Sequence, residues 1–195
     1  DIDFLSFSIH KMCGPSGMGG LWGKYEHLDG LRTIQSGGQT VTASTYKEAS
    51  WAKPPARFEG GLGNFSGMMA TGAAIDYLSK IEMDQVREHE IRLNRIMTKG
   101  VKDLPGLKII GPEDPAKRGG ICSIIMDKLP AHDVAILLDE AAGVMVRSGQ
   151  HCVHSWFEHH GHKQGSLRAS AYFYNTEEEV KRFVDTLTEI VHTLG

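Results

Sequence analysis

Two side chains in this chain stand where the local backbone could present them for covalent chemistry. Lys11 lies where a roughly alternating apolar and polar run, residues 3–10, gives way to Gly14-Pro15-Ser16-Gly17-Met18-Gly19-Gly20. Five of those seven residues are Gly or Pro, so the segment must turn through backbone angles that other residues avoid. A lysine there is held on its N-terminal side and left uncrowded on the other. Such an ε-amine can lose its proton and form a Schiff base with a carbonyl, helped by burial or neighbouring cations. By spacing alone, a surface lysine beside a hairpin turn is the commoner case.

Cys152 ends the run Arg147-Ser148-Gly149-Gln150-His151-Cys152, just after a strand-like segment. The thiolate is the nucleophilic form of cysteine, and Arg147 and His151 are the nearby groups whose positive charge would favour it. A buried structural cysteine is the more frequent fate of a lone one. Arg168 begins a later strand, where a guanidinium can grip a carboxylate through two parallel hydrogen bonds. By itself it reads equally as a surface arginine. His151, His154, His159, His160 and His162 crowd the same region with Glu158. Their spacing matches no regular ligand set, and a solvated, pH-sensitive loop is favoured over a metal site. The glycine turn is no nucleotide cradle: neither G-x-x-x-x-G-K-[ST] nor G-x-G-x-x-G occurs.

The elements that must position these residues follow from periodicity. The spacing predicts a hairpin, with residues 3–10 returning through 21–24. Residues 30–62 lack periodicity and read as a long functional loop region. Asn64 caps a helix through Leu78, and a second helix runs over about 84–103 until Pro105-Gly106 stops it. Strands are expected at 107–110, 121–126, 144–147 and 167–172, with a helix at 131–142. Val180, Phe183, Val184, Leu187, Ile190, Val191 and Leu194 mark a final amphipathic helix. This alternation predicts an α/β fold. The composition change near 104–106 divides it into 1–104, the end of a larger domain, and 105–195, a small C-terminal α/β domain carrying Cys152.

Composition bounds the rest. The chain has 195 residues, 41% hydrophobic and 23% charged, with a net charge of −3. Nothing basic points to nucleic acid, and no apolar run approaches a bilayer span. Three cysteines without CxxC spacing argue against a disulfide framework and suit a reducing cytoplasm. The acidic start without methionine suggests a processed chain, a fragment or a trimmed piece.

A resemblance adds to these readings. Ser8-Ile9-His10-Lys11-Met12-Cys13-Gly14-Pro15-Ser16-Gly17-Met18-Gly19-Gly20-Leu21 is similar to the S-x-H-K-x-x-G-P-x-G-x-G-x-L signature of class V aminotransferases and cysteine desulfurases. Arg57-Phe58-Glu59-Gly60-Gly61-Leu62-Gly63-Asn64 resembles the R-F-E-x-G-T-x-N of that family. Arg147 to Cys152 and Arg168 to Thr176 resemble the SUF-type, group II cysteine desulfurases. The resemblance implies pyridoxal 5'-phosphate (PLP) as cofactor, bound by Lys11 with His10 beside it. Gly61 and Leu62 would reach the phosphate across a homodimer interface. Cys152 would take sulfur from L-cysteine as a persulfide, leaving L-alanine, and pass it to a sulfur-acceptor protein for iron–sulfur cluster assembly. Arg168 would bind the substrate carboxylate, with Arg147 lining the same pocket. Leu62 departs from the usual Thr, so only backbone N–H groups could serve there. Gln39-Thr40-Val41 and Val153 depart as well.

The same resemblance places most cofactor contacts before the lysine, and here only ten residues precede it. The expectation is therefore the C-terminal half of a desulfurase, completed by an N-terminal half on this or another chain. A non-catalytic fragment, a selenocysteine lyase-like enzyme and a histidine-based metal module are the alternatives.

Overall fold

The computed structural model describes residues 1–195, which fall into two compact units, Asp1–Glu82 and Met83–Gly195. The break is one helix earlier than the 104–106 expected from composition. The reason is packing: the apolar stripe of the helix at Met83–Val101 (Leu93, Met97, Val101) is part of the second unit's core.

In the first unit, β1 (Phe4–Ser8) pairs antiparallel with β2 (Gly19–Gly23), with Leu5 opposite Trp22 and Phe7 opposite Gly20. A short helix, α1 (Tyr25–Gly30), follows. The segment expected to be loop contains a second small hairpin, β3 (Val41–Ser44) with β4 (Ala49–Trp51). Its strands are too short for periodicity to reveal them. Then α2 (Phe65–Ile81) begins at the predicted cap, where Asn64 Oδ1 accepts the Gly67 N–H at 3.0 Å. This unit has little core. Of its aliphatic and aromatic residues only Ile9, Ala74 and Leu78 are buried, while Phe4, Leu5, Phe7, Leu21 and Trp22 are exposed. Leu5 and Trp22 lie on one face of the hairpin and Phe4 on the other, because side chains alternate along a strand. A strand pair apolar on both faces has the pattern of a sheet covered on both sides.

The second unit begins with α3 (Met83–Val101) and continues as β5 (Leu107–Ile110), β6 (Ile121–Met126), α4 (Ala131–Ala142), β7 (Arg147–Gly149), α5 (His154–His159), β8 (Ser166–Ser170) and α6 (Glu177–Leu194). The predicted order of strands and helices is recovered with one addition, α5. β7 begins three residues later and β8 one residue earlier than their apolar runs suggest. The four strands form an antiparallel sheet in the order β5-β6-β8-β7. Cys122, Ile124, Leu167 and Ala169 point from the central strands into a core shared with α3, α4 and α6. α6 starts at a capping box: Thr176 accepts the Glu179 N–H, and the Glu179 carboxylate accepts the Thr176 N–H.

Register then decides what the other face carries. Ser123 pairs with Arg168, and Arg168 with Arg147. These three alternate with the core residues, so they form a row on the face turned away from α3, α4 and α6. Leu187 is fully buried in the helix layer behind this sheet. Leu187→Ala is expected to cost about 2–5 kcal/mol, read from the midpoint of urea unfolding.

Candidate active site

Lys11 does not sit at a strand end. β1 stops at Ser8, and Ile9–Met12 form a single turn of 3-10 helix. Ile9 anchors that turn. It is buried, its N–H donates to Met18 O and its carbonyl accepts the Gly14 N–H, both at 3.1 Å. Gly14 has no room for a side chain: a Cβ there would lie 2.3 Å from Ile9 Cγ2 and 3.5 Å from Ala74 of α2. Cys13 closes the turn in the left-handed region at φ 64°. The outcome is a rigid platform from which Lys11 and His10 project exposed. Lys11 makes neither a hydrogen bond nor an ion pair, which suits an amine kept for a carbonyl partner.

The Gly60-Gly61-Leu62 turn is placed by backbone against backbone. A Cβ on Gly37 would come within 3.3 Å of Gly60 C and Gly61 N, a tight contact that the glycine avoids. Gly61 (φ 90°) donates its N–H to Gly38 O at 2.9 Å. That group is therefore engaged, while the flanking Gly60 and Leu62 N–H groups donate to no backbone carbonyl. The Leu62 side chain stands almost fully exposed. Arg57, to which sequence alone gave no role, is a structural clamp. It donates to Ala52 O, Asp29 O and Leu31 O and pairs with Asp29 Oδ1 at 3.1 Å. Lys53, chiefly, and Arg57 hold the Asp29 carboxyl below its usual range. The exposed lysine and the Gly60 and Leu62 N–H groups fit the aldehyde and the phosphate of PLP. A stacking group and an acid for its pyridine nitrogen are not among the residues placed around them.

The second unit gathers the other candidates. Arg147 and Arg168 face each other across β7 and β8, and Arg147 Nη2 lies 3.9 Å from Cys152 Sγ. Like charges directly opposite on a sheet are unfavourable. Neither guanidinium has a carboxylate within 4.0 Å, and Arg168 Nε is buried without a partner. An anion delivered between them would relieve both deficits.

The turn that carries the cysteine is strained. His151 (φ 50°) and Cys152 (φ 65°) are consecutive non-glycine residues in the left-handed region, a cost of about 1–3 kcal/mol each. The surroundings enforce it. Gly149 and Gly165 bring the strand ends so close that a Cβ on Gly165 would lie 2.3 Å from Gly149 C. Gln150 Nε2 donates to Lys163 O at 2.7 Å. His151 Nε2 lies 3.0 Å from Ser166 Oγ.

His151 is thus turned towards Ser166, and it is no cationic helper for the thiol. Burial, then the charges of Arg168 and Arg147, push its pKa below the usual 6.5, against the pull of the Ser166 carbonyl. Arg147 is the cation at the sulfur. Gly149 belongs to the motif around the cysteine, whereas Ser166 and Gly165 carry no local signal in the sequence and are placed here only by the pairing of β7 with β8. The remaining histidines lie on or just beyond α5, where His160 stacks on Trp156 at 4.1 Å. Three or more His, Cys, Asp or Glu side chains placed to hold a metal occur nowhere in the chain.

Comparison with known proteins adds an independent line. The family model for class V aminotransferases matches residues 1–183. A probable cysteine desulfurase of Xylella fastidiosa is 35% identical over 193 residues, covering 99% of this chain and 45% of that protein. A cysteine desulfurase of Haloferax volcanii is 37% identical, over 96% of this chain and 43% of its own length. Among solved structures, the apo cysteine desulfurase of Thermococcus onnurineus superposes with a TM-score of 0.89 at 34% identity, over 98% of this chain and 48% of the other. An Escherichia coli cysteine desulfurase in an S-sulfonic acid form gives 0.88 at 27% identity. The chain therefore spans about half the length of the relatives it matches.

Because His151 takes its proton less readily folded than unfolded, the unfolded chain gains the extra proton as pH falls through about 6.5. Stability contributed by neutral His151 is present above that pH and is lost below it. Between about pH 7 and pH 5 the wild type is expected to lose more stability than His151→Gln, with the His151 ring titrating below 6.5 by NMR.

Proposed function

Since the chain belongs to the class V aminotransferase family, we propose that it is the lysine- and cysteine-bearing part of a PLP-dependent cysteine desulfurase of the SUF type. The observation that carries this reading is the pairing of Arg147 with Arg168 on one face of the sheet, with Arg147 Nη2 3.9 Å from the sulfur of Cys152 in the turn that follows. Two unpaired guanidinium groups beside an exposed thiol suit a substrate that brings a carboxylate and a sulfur together. L-cysteine is such a substrate.

PLP held by Lys11 supplies the electron sink that makes the substrate's Cβ–Sγ bond breakable. The chain's own residues do the rest. Arg168 takes the substrate carboxylate, and Arg147 shares that charge while favouring the thiolate of Cys152. Cys152 Sγ attacks the substrate sulfur. The S–S bond forms as the Cβ–S bond breaks, and the bonding pair stays with the carbon fragment. The Lys11 amine is the group assigned to return a proton, and the fragment leaves as L-alanine. Cys152 keeps the sulfur as a persulfide. Its exposed, strained turn suits transfer to an acceptor protein that feeds iron–sulfur cluster assembly.

This chain carries only part of such a site. The apolar hairpin faces and the missing ring contacts support completion by a further segment of the same fold, on this polypeptide or a second one. The Gly60-Gly61-Leu62 turn would serve the phosphate bound by another copy in a homodimer. Leu62 offers a backbone N–H there and no hydroxyl.

The test is made on the completed protein, supplied with PLP and L-cysteine. Wild type is expected to release alanine and to gain the mass of one sulfur atom on Cys152. Cys152→Ser should abolish that gain while keeping the visible absorbance of bound PLP, and Lys11→Ala should lose the absorbance. Arg168→Gln should raise KM roughly 10- to 100-fold, the worth of one charge-assisted carboxylate contact. Sulfur release unaltered in Cys152→Ser would refute the reading.

A further inference from the structure

A groove outside the residues assigned above lies in the second unit, between the C-terminal half of α3, β5 and the loop from Gly111 to Arg118. We propose that it binds an organic phosphate, a ligand joining a phosphoryl or diphosphoryl group to an apolar moiety. Its open volume is about 800 Å³, within the range of small-molecule sites.

The groove is lined by five cations, Arg95, Lys99, Lys102, Lys108 and Arg118, against two carboxylates, Asp103 and Glu113. Arg95 and Lys99 fall at i and i+4 on one face of α3, and Lys102 follows one residue past its end. Only Lys102 has an acid nearby, Asp103 at 3.9 Å, and both are exposed.

Arg118 is the second, independent observation. It is 8% exposed, donates Nη2 to Thr98 Oγ1, and leaves Nε and Nη1 buried without partners. A guanidinium is charged at every accessible pH, and a buried one lacking an anion is unfavourable. The neighbouring Cys122 thiol is a further polar group near it and supplies no counter-charge: burial outweighs the pull of Arg118 and pushes the thiol up to about 11. The fold nonetheless fixes the arginine there. Arg87 donates to Arg118 O at 2.8 Å and also to Ala116 O. Asp114 caps the short 3-10 turn at Pro115–Lys117 through the Ala116 N–H. Gly111, left-handed at φ 102°, lies 3.6 Å from the Arg118 stem as measured from where its Cβ would be.

Leu107, Ile109, Pro112 and Pro115 make the remaining wall apolar. Cations entering one volume from a helix, a strand and a loop suit a compact anion better than an extended acidic peptide. The phosphoryl group sits among the α3 cations above Arg118, and the apolar part rests on Leu107, Ile109 and the prolines.

Titration calorimetry on the completed, PLP-loaded protein at low ionic strength tests this, with ADP, pyrophosphate and adenosine as probes. ADP is expected to bind, pyrophosphate to bind more weakly, and adenosine not to bind. Raising the salt should weaken ADP. Lys99→Gln with Lys108→Gln should weaken it about tenfold or more. Arg118→Gln should weaken it further; the lysine pair decides the matter if that buried variant fails to fold. ADP binding equal to adenosine, or unchanged in the lysine pair, would overturn the proposal. So would a polyglutamate peptide that binds more tightly than ADP and loses its affinity in the same variant, since the occupant would then be an acidic protein segment.

Discussion

Two guanidinium groups face each other on adjacent strands, and much of the second unit serves to keep them there. Arg147 and Arg168 are opposite in register, with no carboxylate to separate them. Left alone, such a pair would splay the sheet edge. It is held because β8 is anchored behind by Leu167 and Ala169 in the core. At the end of β7, Gly149 and Gly165 press backbone on backbone. The same closure forces His151 and Cys152 into left-handed backbone and turns the imidazole towards Ser166. Charge repulsion and backbone strain are thus one arrangement around an exposed thiol. Both are unfavourable for folding, and an anion bound between the arginines would offset the first.

The first unit contributes a different kind of constraint. Its lysine platform is rigid at close range, fixed by Ile9 against Gly14 and Ala74. At longer range the unit has little to pack on, since its hairpin presents phenylalanine, leucine and tryptophan to solvent. Rigid local geometry without a core of its own is what a piece of a larger sheet looks like. It agrees with a match that spans under half the length of the related proteins.

Much of this was legible in the chain itself. The glycine turn after Lys11, the helix boundary at Asn64, the span of α4 and the stripe of α6 follow from local rules of capping and periodicity. What escaped depends on pairing. β7 carries Arg147, Ser148 and Gly149, which have no strand-like pattern, and it exists because β8 offers it a partner. Its register could not be read from either segment, and the register is what sets the arginines opposite. The unit boundary escaped because α3 looks like the end of one domain, while its buried face belongs to the next. The cation at the cysteine was half legible: His151 is adjacent in sequence and Arg147 five residues away, yet the backbone turn puts the arginine at the sulfur.

The arginine pair stores repulsion until an anion binds between its members. Thermal unfolding of Arg147→Gln in the completed, PLP-loaded protein, with and without saturating L-alanine, reads this out. Without the amino acid the variant is expected to melt at or above the wild-type temperature, and the rise in Tm that L-alanine gives the wild type is expected to be largely lost. A variant that melts lower without ligand, yet keeps the full rise with it, would show that the pair stores no repulsion.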